Sequence, residues 1–223
     1  MGGFNCNSTF DYLDFDIIRK NPKIFCGYSD PTSLINVIYA KTGLVTFHGP
    51  NFKSLSDEET DYGFCEMKKR FFDGELELGS HDEYNTIKKG RAEGKLIRWE
   101  FVSFFEFDFW EISCRCYTER FYLLRIWDLK VLLGMISNYL YRLKQNGVFE
   151  KINGLWIGNY EHSSGISLEK IVLDTLEDEY NFPIVKSDNF GHGLLKTVIP
   201  VGTNARIDTD DKVKIKLLED CLI

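Results

Sequence analysis

The chain has 223 residues, 43% hydrophobic and 15% aromatic, with a net charge of −7. That length and apolar content specify one large or two small globular domains with a substantial core, and exclude a disordered chain. A negative balance without a basic stripe excludes a general nucleic-acid binder, and no apolar run approaches the roughly 20 residues of a membrane span.

In chain order, Leu13 to Ile18 reads as a short helix stopped before Pro22, because the residue preceding proline avoids the α region. Ile24-Phe25-Cys26 reads as a short strand, and Pro31 opens a helix whose apolar positions recur at helical spacing through Ala40. Gly43 ends that helix, and Leu44-Val45-Thr46-Phe47 is the next strand. Strand, tight turn, helix, strand is the unit of a parallel α/β sheet. Residues 51–95 are acidic and read as a linker with an amphipathic helix from about Asp57 to Phe72. Met135 to Asn146 forms an amphipathic helix with Ile136, Leu140 and Leu143 on one face, closed by Gly147. Ile152 to Gly158 brings a strand, Ser167 caps a helix running to about Glu179, and Pro183-Ile184-Val185 is another strand. Lys196 to Ile215 reads as two strands around Gly202-Thr203-Asn204.

Gly27-Tyr28-Ser29-Asp30 carries the clearest chemical signal. A serine between an apolar strand and a helix, with glycine two residues earlier, fits a nucleophile elbow. Such a turn lifts the hydroxyl clear of the sheet and sets the N–H of Asp30 beside the reacting carbon, where one donor is worth ~3 kcal/mol in the transition state. By pattern alone, the same residues also serve as a plain helix cap. His192, in Phe190-Gly191-His192-Gly193, lies in a glycine-flanked loop able to bring an imidazole to a serine on another segment; a lone loop histidine is also an ordinary surface residue. The other histidines, His48, His81 and His162, show no metal-ligand spacing. Cys6, Cys26, Cys65, Cys114, Cys116 and Cys221 form neither a disulfide framework nor a zinc site. The expectation is a reduced, cytoplasmic protein without metal or cofactor and without a signal peptide.

Asn21-Pro22-Lys23-Ile24-Phe25-Cys26-Gly27-Tyr28-Ser29-Asp30-Pro31-Thr32, followed by Tyr39 to Pro50, resembles the segment around the catalytic serine of the LD-carboxypeptidase and microcin C self-immunity family of serine peptidases. Gly154 to Tyr160 resembles a later strand, and Phe182 to Val185, Phe190-Gly191-His192 and Ile199 to Gly202 resemble the catalytic-histidine region. The segments stand in the family's order, with the self-immunity branch the nearest in texture. The resemblance implies a Ser-Glu-His triad hydrolysing an amide near a carboxyl terminus, in a murein tetrapeptide or a peptide–nucleotide antibiotic. Ser29 is then the nucleophile, His192 the general base and acid, and the N–H groups of Asp30 and Gly3 the oxyanion donors. The implied partner is a peptide or muropeptide, with neither nucleic acid nor membrane, and a homodimer is expected as in other members. The implied fold is α/β. Residues 1–55 are the remnant of a parallel-sheet N-terminal domain carrying the elbow, 56–90 a crossover linker, and 91–223 a strand-rich α/β C-terminal domain.

Two departures from the family stand out. The family has further strands and helices before the Gly2-Gly3 turn, so the chain reads as N-terminally truncated, with an exposed sheet edge. Residues 98 to about 134 also fail to fit, and no glutamate there follows a Phe-Leu strand. Codons available for Arg98 to Ser103, AGG TGG GAA TTT GTC A, read one nucleotide later give the family's Gly-Gly-Asn-Leu-Ser. The same shift over Leu123 to Trp127 (CTT CTT AGA ATA TGG) gives Phe-Leu-Glu-Tyr. This restores the triad glutamate at the codons of Arg125 and Ile126 and marks the segment as translated out of frame; the other explanation is a divergent aromatic insertion. Three outcomes follow from the sequence: a working carboxypeptidase, an inactive remnant lacking the triad glutamate, or a peptide-binding module in the old cleft.

Overall fold

A computed structural model describes residues 5–51, 60–79, 84–100, 120–125, 133–159, 167–191, 193 and 195–222. The chain opens with a 3-10 helix, Cys6–Tyr12, and helix α1, Phe15–Lys20. Asp14 caps α1 by accepting from Asp16 N and Ile17 N at 3.0 and 2.9 Å. Strand β1 is Cys26–Gly27, later and shorter than the apolar run, because only these residues pair with β2, Thr46–His48. Between them runs α2, Pro31–Thr42, closed by Gly43 at φ 75°.

The crossover carries α3, Thr60–Lys68, which widens into a π-turn over Lys69–Asp73. Strands β3, Asn85–Lys88, and β4, Arg91–Glu100, follow. Strand β5, Arg120–Arg125, lies within residues 98–134, the stretch read from the sequence as a poor fit to the resemblance. Helix α4, Leu133–Gln145, precedes β6, Ile152–Ile157, and α5, Leu168–Leu176, precedes β7, Ile184–Lys186. Helix α5 ends before the expected Glu179 because Glu177 leaves the helical conformation at φ 52°, ψ −145°. The last strands are β8, Ile199–Val201, β9, Asn204–Asp208, and β10, Ile215–Leu217.

The sheets are mixed, as an α/β architecture allows. A three-stranded sheet has the order β1-β2-β8, and a seven-stranded sheet the order β10-β9-β4-β5-β6-β7-β3. Strands β4, β5, β6 and β7 run parallel, with antiparallel strands at both edges. The expected pair of C-terminal strands is therefore three strands serving two sheets: β8 pairs with β2, while β9 pairs with β4 and β10.

Alternation along the buried strands separates two cores. Leu155, Ile157, Ile97 and Ile184 face Ile136, Leu140 and Leu143 of α4 and Ile171 and Val172 of α5. Trp156, Leu96 and Val185 face the other way, toward Phe47, Phe190, Val198 and Ile199. No helix among the described residues is long and apolar enough to cross a membrane.

Candidate active site

The site is built on one row of the small sheet. Gly27 pairs with His48 in β2, and His48 pairs with Ile199 in β8. Because β1 and β2 are parallel and β8 antiparallel, the exit of β1, the exit of β2 and the entry of β8 share one end of the sheet.

From Gly27 the chain turns sharply through Tyr28, Ser29 and Asp30 into α2. Ser29 sits at φ 67°, and Glu177 is the other non-glycine at positive φ among the described residues. An L-residue held there stores roughly 1–3 kcal/mol of strain. The helix enforces the turn, since Thr32 N donates to Ser29 O at 2.7 Å and Ser33 N to Asp30 O at 3.1 Å. Close packing needs a small residue at 27, because a Cβ there would lie 3.0 Å from Pro31 Cβ. Ser29 is 4% exposed. The plain cap does not describe Asp30, whose side chain makes no capping bond to α2; its Oδ1 accepts from Cys6 N at 3.1 Å and ties the 3-10 helix to the turn.

The neighbouring thiols are held protonated. Burial, and then the Asp30 carboxylate, pushes the Cys6 thiol up. Burial alone pushes Cys26 up to about 12. Neither competes with a hydroxyl as a nucleophile near neutral pH.

The second half of the site is the loop from Ser187 to Gly193. Ser187 N donates to Ile157 O at 3.0 Å, Asn159 N to Phe190 O at 2.9 Å, and Thr197 N to Asn189 O at 2.8 Å. Trp156 Nε1 donates to Ser187 Oγ at 2.8 Å, and that hydroxyl donates to Asn189 Oδ1. Gly191 adopts φ 137°, with Asn159 packed where a Cβ would point. Lys196, 8% exposed, donates from Nζ to Gly193 O at 2.9 Å, and the same ammonium stands 5.4 Å from the centre of the Tyr28 ring. The turn bearing Ser29 and the loop around position 192 thus meet. His192 itself and Gly3 lie outside the described residues.

The strands of the large sheet that run parallel to β6 end on the same side as this loop. Leu124 pairs with Ile157, and β5 closes one residue later at Arg125. Its sequence, Arg-Phe-Tyr-Leu-Leu-Arg, contains no carboxylate, where the resemblance calls for a strand ending in glutamate. Residues 101–119 and 126–132, which complete the divergent stretch, lie outside the described residues. Among the described residues no group of three or more His, Cys, Asp or Glu side chains converges on a metal-sized site.

Sequence reasoning missed two side chains at this junction. His48 is fully buried between Tyr28 and Phe190, with ring centroids 6.5 and 6.4 Å away. Lys196 is the other. Each had a faint signal, a polar residue inside an apolar run, as in Val45-Thr46-Phe47-His48 and Leu194-Leu195-Lys196-Thr197-Val198.

Comparison with known proteins supplies the lineage. Profiles of the LD-carboxypeptidase N-terminal and C-terminal domains match residues 1–49 and 128–207. YocD of Bacillus subtilis, assigned as a carboxypeptidase, is 30% identical over 235 residues, spanning 93% of this chain and 71% of YocD. A second B. subtilis protein, assigned as a murein peptide carboxypeptidase, is 28% identical, spanning 96% of this chain and 69% of its own length. Among solved structures, an MccF-like protein from Bacillus anthracis is 28% identical with a TM-score of 0.81, covering 97% of this chain and 73% of that one. The microcin C7 self-immunity protein MccF, solved with aspartyl sulfamoyl adenosine, shares the fold at a TM-score of 0.81 and 23% identity, covering 100% of this chain and 75% of that one. With both domain profiles in order around the Ser29 turn and the 187–193 loop, the chain belongs to the LD-carboxypeptidase family.

Proposed function

We propose that this chain carries the serine-peptidase site of a carboxypeptidase or amidase, with Ser29 as nucleophile and His192 as base. The observation that carries the reading is the strained Ser29, held at φ 67° between β1 and α2, next to Tyr28, whose ring lies 5.4 Å from the Lys196 ammonium that is bonded to Gly193. In the reaction, Ser29 Oγ attacks the amide carbonyl carbon while His192 accepts the hydroxyl proton. The N–H groups of Asp30 and Gly3 receive the developing oxyanion, helped by the positive end of α2. The C–N bond breaks as His192 returns the proton to the amine, and water then hydrolyses the ester by the same sequence in reverse. The substrate class, a peptide or nucleotide-linked peptide with a free carboxylate, follows the murein peptide carboxypeptidase name of one relative and the aspartyl sulfamoyl adenosine bound by MccF. A fluorophosphonate probe tests the site. Stoichiometric labelling that disappears in Ser29→Ala is expected; a soluble protein that resists the probe overturns the reading.

One observation favours a second reading, a remnant that keeps nucleophile and base without the triad acid. Strand β5 ends in Arg125, and neither domain profile covers residues 50–127. On this reading residues 98 to about 134 are out of frame. The orienting group of the imidazole is then absent, and turnover falls about 10⁴-fold below that of an intact triad. The nucleotides over this stretch decide it: codons that cannot yield Gly-Gly-Asn-Leu-Ser and Phe-Leu-Glu in the shifted frame refute it.

A further inference from the structure

Two side-chain bridges join the Ser29 turn to the 187–193 loop, and both converge on Tyr28. In the first, Lys196 Nζ donates to Gly193 O at 2.9 Å while standing 5.4 Å from the centre of the Tyr28 ring. In the second, the His48 ring lies edge-on to Tyr28 at 6.5 Å and to Phe190 at 6.4 Å. Tyr28 directly precedes Ser29, and Phe190 and Gly193 bracket position 192. The backbone offers a longer path, through the His48–Ile199 pair and back along the segment that leads into β8. Reacting atoms must stand about 3–3.5 Å apart, and a misplacement near 1 Å costs about 10²-fold in rate. A direct side-chain connection of the two loops therefore governs more than their packing.

We infer that Tyr28, His48 and Lys196 form a clasp that sets the spacing between the Ser29 turn and the 187–193 loop, with His48 and Lys196 as positioning residues. The chemistry of each fits. Lys196 is almost wholly buried, so its charge is met at close range by a carbonyl on one loop and a ring face on the other. His48 is fully buried, and among the described residues neither ring nitrogen has a hydrogen-bond partner. A buried imidazole without partners loses the hydrogen bonds it makes in water and recovers none of them. What His48 supplies is therefore the shape of a flat ring wedged between two others, at the strand position that pairs with Gly27. The functional consequence of the clasp rests on the Ser29–His192 reading; the structural consequence does not.

The test uses the intact chain and reads structure and reactivity separately. Amide exchange at Thr32, which closes the turn, and at Asn159 and Thr197, which close the loop, reports the clasp directly. Lys196→Met and His48→Ala are each expected to speed exchange at all three amides about tenfold with global stability corrected for. Lys196→Arg, which keeps a cation over the ring, and His48→Phe, which keeps the wedge, are expected to stay near wild type. Where wild type labels with the fluorophosphonate, the first two variants should label about 10- to 100-fold more slowly. Unchanged exchange in Lys196→Met overturns the clasp, and that variant decides alone if His48→Ala does not fold. Equal loss in His48→Phe and His48→Ala also overturns it, since the nitrogens rather than the ring would then be at work. A wild type that resists the probe refutes the serine-hydrolase reading, and exchange then decides the clasp without it.

Discussion

At the scale of single residues, Ser29 poses a question that two substitutions separate. Its hydroxyl and its backbone conformation are independent properties, and both Ser29→Ala and Ser29→Gly remove the first. Only glycine relaxes the second, because alanine still carries a Cβ at φ 67°. Ser29→Gly is therefore expected to be more stable than Ser29→Ala by about 1 kcal/mol in urea unfolding, with both inert to the probe. Equal stabilities would show that the turn stores no strain. The same locality explains what the sequence made visible here. Pro31 and Gly43 follow rules written in a few adjacent residues, and they open and close α2 as those rules require. His48 and Lys196 do not: Gly193 is close to Lys196 in sequence, but Tyr28 and Phe190 are brought to these side chains by strand pairing rather than by spacing.

At the scale of elements, α4 is a helix that its own periodicity defines. Leu140 is fully buried against the large sheet, whereas Tyr141, one position on, is 41% exposed. Leu140→Ala should lower unfolding stability by about 2–5 kcal/mol, and Tyr141→Ala should stay within roughly 0.5 kcal/mol of wild type. Similar losses in the two variants would contradict the assigned face. The edge pair β9–β10 carries a pH dependence. Glu219 Oε1 accepts from Asn204 N at 2.8 Å, and that backbone bond holds its carboxyl below the usual range. A depressed folded-state value adds stability above the unfolded carboxylate pKa and loses it as pH falls through the folded one. Glu219→Gln should thus be less stable than wild type near neutral pH, with the difference vanishing in acid; the group is exposed, so the effect is small. Strand ends were the least legible elements. β1 and β2 are trimmed to the residues that find partners, and β3 shows no apolar run because half of it faces solvent.

At the scale of the molecule, the two sheets are joined by crossings that local sequence cannot announce. Strand β8 comes from the C-terminal third yet pairs with β2, so the sheet bearing Ser29 is completed by a segment more than a hundred residues away (from Thr46 to Val201). The crossover is pinned to the same segment. Tyr62 OH shares a 2.7 Å hydrogen bond with Thr197 Oγ1, while Arg70 donates from Nε to Val198 O at 3.3 Å and from Nη2 to Glu77 O at 2.9 Å. Arg70 is fully buried, and burial lowers its pKa from the ordinary arginine value without discharging it. Its guanidinium fork thus binds the π-turn to the chain that enters β8 and to the strand-like segment at Glu77. Removing it strips two charge-assisted bonds from a buried site, so Arg70→Ala should lower stability by about 3 kcal/mol or more. Arg70→Lys should recover little, because a single ammonium does not span two carbonyls set for a planar fork. Limited proteolysis within residues 60–79 is the matching readout: both variants should be cut there first and faster than wild type. Cleavage confined elsewhere would mean that the crossover is held by its apolar contacts, Met67 and Phe71 among them, rather than by the arginine.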